Sequence, residues 1–203
     1  MNHQENESVY DFWGASPTSE IISTTSIFVY AECRDSKLEE NSIRVLGKAR
    51  ELADALGTGI RAICLDADNE DFARKLISAG ADKVLLSKDN RFKTYETELF
   101  CSQLFSLVQE KHPEILMAAL SHFTCDFFPR LAQRIATGLV SGCTGLEIDT
   151  ADRSLLATRP IYGGKMFEVR TWQHSGLQMV LLQPGIFPQP IMDEFRSGNI
   201  EKI

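Results

Sequence analysis

Ile27-Phe28-Val29-Tyr30-Ala31 is a run of apolar residues in which β-branched and aromatic side chains dominate. Such a run, with polar residues on both sides, predicts a strand that is buried on both faces. Apolar residues then recur at near-helical spacing from Glu39 to about Leu56, and Gly57 is suited to end a helix there. The segment therefore predicts a buried strand followed by a helix.

The alternation of strand and helix continues as far as Gly138. Further strands are predicted over 60–65, 83–86 and 115–120, and further helices over 68–78, 94–111 and 126–136. Repeated strand–helix units with short links predict right-handed crossovers and a mostly parallel sheet covered by helices on both faces. The predicted fold class is therefore α/β.

The character of the chain changes after Gly138. Strands are predicted over 146–148, 154–158, 166–171 and 178–182, with few helical signals between them. We expect antiparallel pairs added at the edge of the sheet. The glycine-rich stretch 137–149 suits a loop that crosses an opening, and a plain connector into a strand is an equal alternative.

Three parts of the chain differ in composition. Residues 1–22 are polar and acidic, interrupted by Tyr10, Phe12 and Trp13, and predict an arm. Residues 23–190 are expected to form one folded domain, and 191–203 a tail or linker.

Composition excludes several classes of function. The chain has 203 residues and a net charge of −7, so an ordinary core is expected and nucleic acid is a poor partner. No apolar run approaches the roughly 18 residues of a membrane helix, and no signal peptide begins the sequence. These observations predict a cytoplasmic protein without membrane insertion.

Cysteine and histidine residues are scattered singly, with no C-x-x-C pair. This spacing predicts reduced thiols and no metal site, and no nucleophile or phosphate loop indicates catalysis by the chain itself. The residues are Cys33, Cys64, Cys101, Cys125, Cys143, His3, His112, His122 and His174.

The stretch Thr158-Arg159-Pro160-Ile161-Tyr162-Gly163-Gly164 is the strongest candidate for a binding site. Pro160 biases Arg159 toward an extended backbone, and the two glycines allow a turn or a close backbone approach. The pattern predicts a permanent cation beside a bend, available to a ligand or partner. A surface ion pair is the alternative.

A second candidate begins at the carboxyl end of the fourth predicted strand. Ser121 and Thr124 would offer hydroxyl groups there, where open α/β sheets bind ligands, and Asp126 would cap the next helix. The alternative is that all three residues simply cap the turn. A catalytic dyad of His122 and Cys125 is not expected, because no third residue orients it.

Six segments together resemble one family, because they occur there in the same order. They are 29–32, 47–53, 80–84, 126–130, 143–149 and 158–164. The order resembles that in the N-terminal domain of the electron transfer flavoprotein alpha subunit, in its bacterial, anaerobic type, which includes electron-bifurcating members. The resemblance spans about Ile27 to Pro190 and implies a Rossmann-like three-layer sandwich of the adenine nucleotide alpha-hydrolase type.

The resemblance also implies partners and cofactors. In the family this domain packs on a beta subunit, and a second alpha domain, without a counterpart among these residues, binds FAD. We therefore expect the chain not to bind that FAD by itself. In bifurcating members the beta subunit holds a second flavin, and the arginine at Arg159 reaches toward it. Ser121, Thr124 and Gly163 are expected beside the same cofactor.

Further expectations follow from the family. Non-bifurcating members bind AMP in the beta subunit, and the redox partner is expected to be of the acyl-CoA dehydrogenase type or quinone-linked. Two alternatives remain open at this point. One is a stand-alone module that binds an adenine nucleotide, and the other is an assembly module without a redox role.

Overall fold

The computed structural model describes residues 26–34, 37–65, 70–87, 89–172 and 176–203. The arm predicted over 1–22 lies outside these residues, as does the start of the helix predicted from residue 68. Among the helices in the described ranges, none combines the length and the apolar character needed to cross a membrane.

Regular elements account for most of the described chain. The strands are β1 Ser26–Tyr30, β2 Cys33–Arg34, β3 Lys37–Leu38, β4 Gly59–Cys64, β5 Lys83–Leu86, β6 Ile115–Ala119, β7 Leu139–Cys143, β8 Gly145–Asp149, β9 Ser154–Ile161, β10 Met166–Arg170, β11 Gln178–Leu182 and β12 Asn199–Lys202. The helices are α1 Glu40–Leu56, α2 Glu70–Ser78, α3 Thr97–Lys111 and α4 His122–Ile135.

The central sheet contains seven strands in the order β12-β5-β4-β1-β6-β11-β7, and every neighbouring pair is parallel. In β1, Ile27 and Val29 pack with α1 and α2, whereas Phe28 packs on the other face with α3 and α4. All three side chains are fully buried. A continuous apolar run suits such a strand because both faces are covered. The predicted α/β fold is confirmed.

Helix α4 begins earlier than predicted. Ser121 caps it, because its hydroxyl accepts a hydrogen bond from the backbone of Thr124, and the first turn starts at His122. Asp126 lies one turn inside the helix, so the prediction that Asp126 caps it is wrong. The apolar pattern alone placed the boundary too late, since the first turn of α4 is marked by its cap and has no fully buried apolar side chain.

The C-terminal part differs from the expected arrangement. Antiparallel strands are present, but β8, β9 and β10 form a separate sheet in the order β10-β9-β8. Strand β11 is parallel and lies between β6 and β7. Residues 139–143, interpreted as part of a loop or connector, form β7, and Gly142 at φ 73° provides the bulge that keeps its pairing with β11.

The predicted tail also contains a strand. Residues 199–202 form β12, which pairs with β5, and the N–H of Asn199 donates to the carbonyl of Asp82 at 3.0 Å. The Arg196 side chain donates to the Asp82 carboxylate at 2.6 Å. The prediction of a tail is wrong for these residues. The segment is short and mostly polar, so its strand has little apolar signal.

Candidate functional site

Three parallel strands end side by side and define the carboxyl edge of the sheet. The N–H of Leu120, after β6, donates to Leu182 in β11 at 2.8 Å, and the N–H of Gln183 donates to Cys143 in β7 at 2.9 Å. The N–H of Thr144 donates to Thr158 in β9 at 2.8 Å, which brings β9 to the same edge. The topology therefore brings the Ser121 and Arg159 segments to one edge.

The hydroxyls of Ser121 and Thr124 bond to each other's backbone. Thr124 N–H donates to Ser121 Oγ at 3.1 Å, and Ser121 N–H donates to Thr124 Oγ1 at 2.8 Å. Thr124 Oγ1 also donates to the Ala119 carbonyl at 2.7 Å, and the residue is buried. Capping accounts for both hydroxyls. A ligand contact from either residue stays a prediction.

Asp126 and Tyr95 form a polar contact next to this cap. The carboxylate of Asp126 accepts hydrogen bonds from Thr97 at 2.6 Å and from Tyr95 at 2.7 Å. These bonds lower the pKa of Asp126, and burial raises the pKa of Tyr95 to about 12. Both groups keep their ordinary charge near neutral pH, and the Thr97–Asp126 hydrogen bond links the start of α3 to α4.

Arg159 lies in β9 directly opposite Glu168 in β10. Its Nε donates to Glu168 Oε2 at 2.8 Å, and Arg170 binds the other oxygen of the same carboxylate. Hydrogen bonds from Arg170 and Arg159 lower the pKa of Glu168, which stays ionised. The Arg159 side chain is 35% exposed. Within the part of the chain that the structure describes, its terminal nitrogens have no hydrogen bond.

Gly163 lies in the turn that joins β9 to β10. It has φ 67°, in the left-handed region, and a Cβ atom added there would meet no other atom within 4 Å. The turn conformation therefore favours glycine at this position, while the space in front of it is open. A close approach of Gly163 to a cofactor stays a prediction.

An exposed apolar surface surrounds the same hairpin, and we call it the hairpin patch. It consists of Tyr162, Met166, Phe167 and Val169, each more than half exposed. This patch was not predicted from the sequence, in which 166–171 is interpreted only as a strand. The signal was present, since Met166-Phe167 places apolar side chains on both faces of an edge strand.

The crevice beside the central strand offers little space. A cavity of about 10 Å³ lies between the start of α1 and the ends of β6 and β11, and Phe187 and Arg44 help to close it. Arg44 donates to the carbonyl of Phe187 at 2.9 Å. This volume is at the lower limit for one water molecule. The observed crevice therefore does not accommodate a nucleotide.

The described residues at this edge provide charge and hydrogen bonds, but neither an activated thiol nor a metal-binding group. Burial raises the pKa of the Cys143 thiol to about 12, although the nearby Arg159 acts in the opposite direction. Cys143 is therefore protonated near neutral pH and is no nucleophile. Among the described residues, no three His, Cys, Asp or Glu side chains converge on a point where a metal ion would bind.

The fold and the site together define the class. The protein is a Rossmann-like α/β domain in which a separate antiparallel hairpin presents an oriented arginine at the carboxyl edge of the parallel sheet.

The chain belongs to the electron transfer flavoprotein domain family, whose model matches residues 27–203. It is 37% identical to the electron transfer flavoprotein subunit alpha of Clostridium acetobutylicum over 179 residues, which cover 87% of this chain and 53% of that protein. The alpha subunit of Thermoanaerobacterium thermosaccharolyticum is 35% identical over 176 residues, covering 87% and 53%. The acryloyl-CoA reductase electron transfer subunit beta of Anaerotignum propionicum is 28% identical over 191 residues, covering 83% and 52%. The chain thus spans about half the length of these relatives.

Proposed function

We propose that this chain is the alpha-type domain of an electron transfer flavoprotein and pairs with a beta-type subunit around a flavin. The observation that supports this most directly is the state of Arg159. Glu168 fixes its Nε, and its terminal nitrogens are unbonded within the described residues, at an edge flanked by the hairpin patch. A cation held in this way suits an electron-rich group supplied by a partner.

The residues present fit a flavin at the edge of this domain. The guanidinium group cannot lose its proton near neutral pH, so it would stabilise negative charge on the reduced ring. The flavin, FAD held mainly by the beta-type subunit, would supply the redox chemistry. Ser121, Thr124 and Gly163 would lie along the same edge, with Thr124 acting through the cap because its hydroxyl is buried.

The hairpin patch would bind the beta-type subunit. Its four apolar side chains lie on the same hairpin as the charged cluster of Arg159, Glu168 and Arg170. Met166 shares the face of that cluster, whereas Phe167 and Val169 lie on the opposite face of β10. An apolar centre with charged neighbours is typical of a protein interface. A partner that covers the Met166 face of the hairpin would also remove water from Arg159 and so strengthen its field.

The remaining predictions rest on the family. A redox partner of the acyl-CoA dehydrogenase type or a quinone-linked one, AMP in the beta-type subunit and a cytoplasmic location all stay predictions. The assembly module without a redox role differs from our proposal only in the flavin. The adenine-nucleotide module would need a site other than the crevice near Phe187, whose cavity is about 10 Å³.

The proposal is tested by co-expression with a beta-type subunit from the same genome. We expect a stable complex that contains flavin. Arg159→Ala should lower the flavin reduction potential by roughly 60 mV for one electron, which corresponds to about 1.4 kcal/mol. Potentiometric titration of the purified complex measures this shift.

Arg170→Ala is the matched control. It removes the same charge from the same Glu168 carboxylate. Because the Arg170 side chain is more exposed than that of Arg159, the shift in flavin reduction potential should be clearly smaller.

Phe167→Asp should weaken the complex without unfolding the isolated chain. The proposal fails if no beta-type subunit associates. Equal shifts for Arg159→Ala and Arg170→Ala would leave only the assembly role.

A further inference from the structure

Two cysteines that are far apart in the sequence lie side by side in the fold. Cys33 is in β2, just after β1, and Cys64 is the last residue of β4. Strands β1 and β4 are neighbours, and the N–H of Ala31 donates to the Ile63 carbonyl at 2.8 Å. The two Sγ atoms are 2.6 Å apart, and both residues are buried.

This separation is close to that of a bond. Sulfur atoms in a disulfide are about 2.05 Å apart, so an approach of roughly half an ångström would suffice. The other cysteines have different surroundings. The Cys143 thiol donates to the Val140 carbonyl at 3.5 Å, and Cys125 is exposed on α4.

We propose that Cys33 and Cys64 form a reversible redox site that exchanges with low-molecular-weight disulfides. The Cys33 thiolate attacks one sulfur of such a disulfide, forms a mixed disulfide and releases one small thiol. The Cys64 thiolate then attacks the Cys33 sulfur, forms the internal disulfide and releases the second small thiol. Two electrons and two protons pass from the protein thiols to the two released thiols. This site is independent of the proposed flavin function.

Cys33 would be the first of the two cysteines to react with the low-molecular-weight disulfide. It is 4% exposed, whereas Cys64 is fully buried. Cys33 also belongs to the short β2–β3 hairpin, in which it pairs with Leu38, while Cys64 ends a strand inside the central sheet. Loss of the short β2–β3 pairing would expose Cys33 without breaking any strand pairing of the central sheet.

The disulfide would fix β2 against β4, and β2 also contacts helix α4 through Arg34. Arg34 follows Cys33 directly, binds Glu32 at 2.7 Å and lies over the ring of Phe123 at 4.7 Å. Phe123 is in the first turn of α4, beside the Ser121 cap. The oxidised state would therefore restrain the carboxyl edge as well as the hairpin. Disulfides inside cells are often of this transient, redox-sensing kind.

The experiment uses the full chain with Cys125→Ser, which removes the exposed thiol. The protein is equilibrated with mixtures of 2-mercaptoethanol and its disulfide, in buffer and in urea just below the unfolding transition. Quenching, alkylation under denaturing conditions and intact-mass measurement then count the thiols. We expect two thiols to disappear together, a proteolytic peptide pair linked through Cys33 and Cys64, and full reversal by dithiothreitol.

Thermal unfolding provides a second measurement. The oxidised form should melt about 5 °C or more above the reduced form, because the bond closes a loop between distant residues. Cys64→Ser in the same background should lose the linked peptide and the shift, and Cys101→Ser should keep both. Four alkylated thiols at the most oxidising ratio, or mixed disulfides without a linked peptide, would overturn the proposal.

Discussion

The two main sheets of this protein differ in what covers them. The central parallel sheet is buried on both faces, and its middle strand carries fully buried residues such as Phe28. The antiparallel sheet of β8, β9 and β10 packs one face on the core through Leu155 and Ala157, while β10 exposes Phe167 and Val169. Folding stability therefore depends mainly on the first sheet, and the second has side chains available for a partner.

Phenylalanine-to-alanine substitutions should give the largest difference in the free energy of unfolding between the two sheets. Phe28→Ala should lower the free energy of unfolding by about 3–5 kcal/mol, because it leaves a cavity in the core. Phe167→Ala should change it by less than about 1 kcal/mol, since the ring is already exposed. Urea denaturation followed by circular dichroism measures both. Equal losses would show that the two sheets contribute alike.

Glycine substitutions next to the two sheets should give a smaller difference in the free energy of unfolding. Gly198→Ala, just before β12, would place a Cβ 2.9 Å from Ile77 and 3.2 Å from the Asp82 carbonyl, and should cost about 1–3 kcal/mol. Gly163→Ala has free space and should cost only about 1 kcal/mol, for its positive φ. Gly163→Asn, which tolerates that φ, should recover part of the loss, whereas Gly198→Asn should not.

The smallest expected effect is a pH dependence in the antiparallel sheet. Because the pKa of Glu168 is lowered in the folded state, this carboxylate stabilises the fold above about pH 4.3. Its contribution is lost as the pH falls through the lower, folded pKa. Glu168→Gln should therefore flatten the decline of the melting temperature below about pH 4.3.

Glu147→Gln on β8 is the matched control for that measurement. Glu147 is exposed on the same small sheet, without the two arginine contacts of Glu168. Its pH profile should match that of the unmodified chain. A Glu168→Gln profile that also matches would show that the arginine contacts do not stabilise the fold.

Long apolar or strongly periodic segments were predictable, and short mixed ones were not. The run from Ile27 to Ala31 and the helix ending at Gly57 were confirmed almost to the residue. Strands β7 and β12 were missed, because their pairing depends on distant partners and not on local composition. The order β6-β11-β7 is likewise a property of the whole fold, so no local pattern predicts it.

The candidate site was predictable only in part. The position of Arg159 beside a bend follows from Pro160 and the glycines, whereas its partner Glu168 depends on the register of β9 with β10. The capping box of Ser121 and Thr124 has a local pattern, and it was among the alternatives considered. The hairpin patch had only a partial signal, the adjacent apolar pair Met166-Phe167, because exposure depends on which face the core covers.

Strand β12 has a consequence for aggregation. β12 pairs with β5, whose Val84 and Leu86 are buried. Without β12, β5 would be an apolar edge strand with unpaired backbone groups. β12 itself is short and carries Glu201 and Lys202, which bind Lys83 and Glu70. Charged, short strands at such positions discourage pairing with a second molecule. Loss of β12 would therefore expose the edge of β5, with which a second molecule could pair, while the core stayed folded.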